Sequence, residues 1–260
     1  MATLTDRIFS RAVSLRVYGL AAIALGSVGL ASGDFAAVWQ PVPKSLPGRS
    51  GLAYLVAALF FVTGVAMQRM RSARIGALGL TALYGAGVVL LHLPHIVSQP
   101  SVFVEWSGAA EQLALVAGGM MAYAFCAPSR TENTQLLMKC AHYLFGICLL
   151  FFGAAHLIYL KPTADFVPAW IPPGQVFWAY ATAAGHFAAG IAILSGVATR
   201  PATMLLTVMF VAFSVLVHGP NLFSDPSHFN WAANAINLAL VASAWVIAAS
   251  YQATSGPRPM

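Results

Sequence analysis

Seven histidines are the groups best able to do chemistry in a chain of 260 residues of which only 8% are charged. Five of them, His142, His156, His186, His218 and His228, lie in the second half, and His92 and His95 in the first. A neutral imidazole can ligate a metal, relay a proton or donate to a carbonyl, and protonation ends the first of these roles. His156 and His218 fall near matching ends of their apolar runs, and Asn221, Asp225, His228 and Asn234 cluster at the same end. These six form the leading ligand-binding set, with His156 and His218 as the candidate metal ligands. Asn234 and Asn237 stand three apart and so share a helix face. His92, His95, Glu111 and Asn237 are secondary candidates. Glu111 is the only carboxylate well inside an apolar run, so it is either protonated there or paired with His92 or His95. For each histidine the plain alternative is a packed ring bonded to a neighbouring carbonyl or hydroxyl.

Such groups must be positioned by elements that cannot face water. With 59% hydrophobic residues, the chain offers eight apolar runs near membrane-spanning length, at about 12–32, 51–67, 75–93, 107–126, 141–160, 175–195, 202–218 and 231–250. Backbone amides in hydrocarbon need internal partners and no period-2 alternation is present, so the runs are helices and the fold class is an all-α integral membrane protein.

The runs repeat. Leu91-His92-Leu93-Pro94 and Val217-His218-Gly219-Pro220 lie 126 positions apart, each followed by a Ser-x-Pro-Ser turn and a Phe. Phe61, Gly64, Arg74, Leu80, Thr81 and Ala86 recur in the same register as Phe187, Gly190, Arg200, Leu206, Thr207 and Ala212. The chain thus reads as two parallel, same-orientation four-helix repeats, 1–129 and 141–260, joined by a polar connector at 130–140. The histidine of each repeat is expected where its helix stops. Gly29 and Phe60 stand in the first copy where the second has His156 and His186, so the second copy is expected to work and the first to serve as scaffold.

Ten of the 13 basic residues, namely Arg7, Arg11, Arg16, Arg69, Arg71, Arg74, Arg130, Lys139, Arg200 and Arg258, fall at one set of run ends. Only Lys44, Arg49 and Lys161 fall at the other, which places both termini in the cytoplasm and the protein in an inner membrane. The +6 net charge then reports topology, not nucleic-acid binding. Run 12–32 resembles a secretory leader, but its counterpart 141–160 lies mid-chain, so it is expected to be permanent. Cys126, Cys140 and Cys148 form no Cys-x-x-Cys pair, so neither a dithiol exchange centre nor a zinc-cysteine site is expected. Depth measured from the run ends sets His156 about 6 Å below the outer boundary and His186 roughly 16 Å below it. His156 and His218, steadied by Asn221 and Asn234, are therefore expected to share one ligand while His186 acts separately beneath it.

Gly153-Ala154-Ala155-His156-Leu157, Pro162, Phe166-Val167-Pro168-Ala169-Trp170-Ile171-Pro172, Gly185, Gly190 and the turn from Leu194 to Arg200 together resemble the DoxX family of small four-helix membrane proteins. The first copy is a worn version, with Gly26, Val42-Pro43, Leu46-Pro47, Gly64 and the turn from Arg69 to Arg74. The resemblance implies a redox association: family members are linked with the membrane part of a thiosulfate to quinone oxidoreductase, with maturation of a periplasmic amine dehydrogenase and with thiol-oxidative stress complexes. His186 stands where similar sequences often carry an acid. The leading reading is a redox-linked inner-membrane protein whose outward-facing His/Asn site handles a quinone, haem or small substrate for a partner oxidoreductase, with His186 as the catalytic group if the chain itself catalyses. A transporter or small-molecule or metal-binding protein, and a structural or assembly subunit without a ligand, are the alternatives.

Overall fold

The computed structural model describes residues 4–129 and 131–252; Arg130 and Arg258, used above for topology, lie outside the described residues. In chain order the helices are α1 (Leu4–Ile8), α2 (Arg11–Ser32), α3 (Arg49–Ala66), α4 (Ala73–Gly87), α5 (Leu93–Ser98), α6 (Phe103–Phe125), α7 (Glu132–Ile158), α8 (Leu160–Phe166), α9 (Gln175–Ser195), α10 (Thr199–Ala212), α11 (Gly219–Ser224) and α12 (His228–Gln252). Among the described residues there is no strand, as the hydrocarbon constraint on the backbone requires. Among the described residues seven rods are long and apolar enough to cross a membrane: α2, α3, α4 to α5, α7, α9, α10 to α11, and α12. α6 has the length, 23 residues, but Glu105, Glu111 and Gln112 lower its hydropathy. The expected connector is mostly helical, because α7 begins at Glu132, where Thr131 accepts the Thr134 amide as an N-cap.

The two histidines of the repeated motif do not end their helices. His92 and His218 close π turns, Val88–His92 and Phe213–His218, and the rods run on through α5 and α11. The cause lies two residues later in each case. Pro94 and Pro220 lack an N–H, and a proline ring clashes with the carbonyl four residues back, so the helix widens for a turn and resumes with the proline in its first positions.

Small residues set how closely the rods approach. A Cβ on Gly64 of α3 would lie 2.6 Å from the Gly19 carbonyl oxygen of α2, and one on Gly190 of α9 would lie 2.9 Å from the Gly146 carbonyl oxygen of α7. The same backbone-to-backbone contact therefore joins the first two rods of each half, in the manner of small-residue membrane interfaces. Between halves, α6 packs on α7 and α12 packs on α2, with α6 and α12 also touching. α12 is buried on nearly all sides, whereas the other spanning rods keep most of their residues on the outside. In the first half, α2 and α6 close on each other through the Tyr18 hydroxyl, which donates to the Leu115 carbonyl at 2.6 Å, and Phe60 packs on Tyr84 in a tilted contact with ring centroids 5.0 Å apart. The second half has Phe145 in place of Tyr18 and His186 in place of Phe60, and its interior stays open.

Gly64→Ala forces apart a contact with no slack and is expected to cost roughly 1–3 kcal/mol, read as a Tm lower by several degrees in detergent. Gly51→Ala in the same helix meets nothing within 4 Å and should leave Tm unchanged or slightly raised.

Candidate functional site

The open interior of the second half is a chamber of about 670 Å³, within the range of small-molecule and cofactor sites. α7 contributes Phe152, Ala155 and His156; α9 contributes Trp178, Thr182 and His186; α12 faces them with Asn230, Ala233, Ile236 and Asn237. His218 and Asn221 enter from the π turn and α11. Three wall residues come from the first half: Ser107 and Glu111 of α6, and Trp39 from the 3-10 turn Ala37–Trp39. The walls are otherwise mostly apolar, with aromatic rings from Tyr159, Phe166, Phe210, Phe213 and Phe229 among aliphatic side chains.

At the centre, His156 and His186 lie ring to ring with centroids 4.9 Å apart, which overturns the expectation that His186 acts separately and deeper. Run length places the outer boundary at the end of α7, but Tyr159 (φ −106°, ψ 44°) breaks the rod there and a further helix, α8, follows, so the end of α7 does not fix how deep His156 lies. The His156 Nδ1 donates to the Phe152 carbonyl at 2.8 Å, since a carbonyl can only accept, so its Nε2 carries the lone pair. His186 is 1% exposed and ringed by Phe152, Phe210 and Phe213 at centroid distances of 5.5, 5.5 and 6.3 Å. Its Nδ1 is buried without a partner.

The other expected residues divide. His218, Asn221, Asn237 and Glu111 line the chamber with the pair. Asn237 also ties α12 to α10, donating to the Phe210 carbonyl at 3.0 Å and the Ser214 hydroxyl at 2.7 Å beside the π turn. Glu111 pairs with neither His92 nor His95: its carboxyl accepts the Trp39 indole N–H at 2.5 Å. His92 donates instead to the Trp39 carbonyl at 3.2 Å, and His95 stands 3.8 Å from Glu105; neither lines the chamber. Asp225 is a local cap, accepting the Asn230 amide at 2.8 and 2.9 Å through its backbone and carboxyl oxygens. His228 points away, into a small niche with Asp34, Gln40 and Phe60. Burial there pushes the Asp34 carboxyl up, but hydrogen bonds from Arg49 and the Phe35 amide outweigh it and hold the group below the ordinary carboxylate range. Asn234 is absent from the chamber wall, and its side-chain oxygen is buried without a partner. It does not steady His218.

Sequence reasoning missed Trp39, Ser107, Thr182 and Trp178 as wall residues. Trp178, Thr182 and His186 recur every four residues on one face of α9, so that ladder was readable. Trp39 was not, because only folding brings its loop onto α6.

Two flat imidazoles, one with a fixed acceptor nitrogen, can donate to or accept from a planar carbonyl or hydroxyl compound held between aromatic walls. A haem held by two histidines needs them on opposite faces of the porphyrin, and this pair lies in mutual contact. Among the described residues no group of three or more His, Cys, Asp or Glu side chains is placed to hold a metal ion, so His156 and His218 find no third ligand there.

A bundle of apolar rods around a histidine-bearing chamber is the architecture of a helical membrane protein. The DoxX family model matches residues 141–219, a stretch that runs from α7 to the residue before Pro220 and includes all three chamber histidines. No curated protein and no solved structure matches the chain.

His186→Phe, which installs the residue found at the equivalent position of the first half, removes a buried unpartnered nitrogen of the kind that costs about 1–3 kcal/mol. Tm in detergent is expected to hold or rise while ligand binding is lost; a Tm that falls by several degrees shows that His186 is a packing residue.

Proposed function

We propose that this chain is a tandem of two DoxX-type units in the cytoplasmic membrane, and that its second unit holds the head group of a quinone on behalf of a partner oxidoreductase. The observation that carries the proposal is the His156 and His186 pair set in an aromatic-walled chamber inside the bundle. A quinone ring is flat and stacks on such walls, its two carbonyls need donors, and the hydroxyls of the reduced form need acceptors. The Asn221 amide and the N–H groups of His186 and His218 supply donors. The His156 Nε2, fixed as an acceptor by the Phe152 carbonyl, receives a quinol O–H. Quinone takes up two electrons and two protons to become quinol; the partner supplies or removes the electrons, and the imidazoles hand over the protons.

The duplication is supported by matched features: π turns ending at His92 and His218, and close approaches at Gly64 and Gly190. The excess of arginine at the end holding Arg11, Arg69 and Arg74 assigns that end to the cytoplasm. Cysteine placed at Ser72 is expected to react with a membrane-impermeant thiol reagent only in inverted vesicles, and at Ser227 only in intact spheroplasts. Labelling of both from one side contradicts the topology.

Decyl-benzoquinone titrated into the purified protein in nanodiscs should quench tryptophan fluorescence saturably, because Trp39 and Trp178 are wall residues. His156→Ala is expected to weaken binding about tenfold, the loss of one good hydrogen bond. His228→Ala, outside the chamber, should bind as wild type does. Absence of saturable quenching, or equal affinities for both variants, removes the reading.

A further inference from the structure

The chamber wall contains residues that face outward. Leu205, Val208, Ala212 and Leu216 recur every three or four positions along α10 and its π turn, and all four line the chamber. Yet Leu205 is 70% exposed and Val208 64% exposed on the side of the bundle. A side chain that meets both the interior space and the outer surface marks a place where that space reaches the surface. Across the seam, α9 presents Trp178, Thr182 and His186 at helical spacing, so a cleft descends between α9 and α10 from Trp178 to the histidine pair.

The corresponding seam of the first half has different residues along it. Its equivalent rods, α3 and α4, meet through Gly76 and Gly79: a Cβ on Gly79 would lie 2.6 Å from the Thr63 methyl, and one on Gly76 would lie 2.6 Å from the Thr63 carbonyl oxygen. In the repeat register these glycines become Ala202 and Leu205. Leu205, with a side chain where Gly79 has none, turns to the outer flank of α10, and Ala189 stands on the facing rod where the first half has Thr63. At the far end, Thr163 and Phe166 of α8 and the following Val167, Pro168 and Ile171 form the wall beside the direct path from water. Leu205 and Val208 lie on the exposed flank of a rod long and apolar enough to cross a membrane, so a bilayer around the bundle sets the side cleft against hydrocarbon.

We propose that the seam between α9 and α10 is a lateral portal and tail groove, through which an amphiphile enters from the bilayer, resting its flat polar head on His156 and His186 and its apolar chain along Leu205, Val208, Ala212 and Leu216. This rests on the quinone reading above and adds the route and the part of the ligand that selects it. Hydrophobic burial of a chain in such a groove gives affinity in proportion to chain length only if the groove is more complementary to the chain than lipid is, so specificity here comes from shape.

The test uses the full chain in nanodiscs and two probes, tail-less dimethoxy-methyl-benzoquinone and its decyl homologue, with affinities expressed against quinone dissolved in the bilayer so that partitioning creates no preference. Wild type should bind the decyl probe at least tenfold more tightly. Val208→Trp, a change on the lipid-facing side of α10, fills the groove and should bring the decyl affinity down to the tail-less value. Val62→Trp, on the exposed face of α3, should change neither. In wild type, the share of fluorescence that disappears in Trp178→Phe should be quenched by brominated phospholipid and protected by the decyl probe, a readout independent of how Val208→Trp folds. Equal affinity of wild type for both probes, or an undiminished decyl preference in Val208→Trp, or no brominated-lipid quenching of Trp178, overturns the portal while leaving head-group binding intact. Failure of both probes to bind wild type overturns the quinone reading itself, and the portal with it.

Discussion

Hydrocarbon offers nothing for an unpaired N–H or C=O to bond, and this constraint shapes the molecule more than any single contact. It turns every apolar run into a continuous rod and forbids the prolines at positions 94 and 220 from simply ending one. The chain answers with a π turn, in which hydrogen bonds are re-registered instead of abandoned, and Asn237 supplies a donor to the Phe210 carbonyl at that point. His156 obeys the same rule by turning Nδ1 onto the Phe152 carbonyl of its own helix. Against that background of satisfied groups, the partnerless Nδ1 of His186 beside an aromatic chamber is informative, because a bilayer makes such a group costly to keep.

The two halves show how a few side chains decide whether a four-helix unit is solid or hollow. Tyr18 clips α2 to α6 with its hydroxyl, Phe60 and Tyr84 pack in tilted ring contact, and Gly76 and Gly79 let α4 approach α3 closely. In the second half Phe145 has no hydroxyl, His186 stands in place of Phe60, and Leu205 turns outward where Gly79 has no side chain. These are small differences in volume and hydrogen bonding at equivalent positions. Together they leave an internal space where the first half has a packed core.

Much of the fold was legible because membrane rods are written in long apolar runs, and the 126-residue register brings His92 and His218 to equivalent π turns. The candidate site was legible only in part. His156, His218, Asn221 and Asn237 were found because polar residues in apolar runs are conspicuous. Relative depth was not, since it depends on where Tyr159 breaks α7 and on how far α8 carries the chain, and neither follows from run length. The partner of Glu111 was hidden as well: Trp39 sits in a loop, and its indole reaches α6 only in the assembled bundle. Asp225 and His228 looked like ligands because they are polar and near His218 in sequence, yet one caps α12 through Asn230 and the other turns into the first half.

Under the duplication proposed above, the placement of Trp39, Ser107 and Glu111 in the wall of the second half's chamber has an evolutionary corollary. Two separate copies of a single unit would present identical surfaces to each other, and any change that improved one pocket would alter both. Fusing the copies breaks that symmetry permanently. One half can surrender its own cavity and become a lining for its neighbour, at fixed stoichiometry and with no search for a partner in the membrane. Once the lining is shared, the gene can no longer be cut back to one unit without leaving the chamber open along the side that α6 now covers.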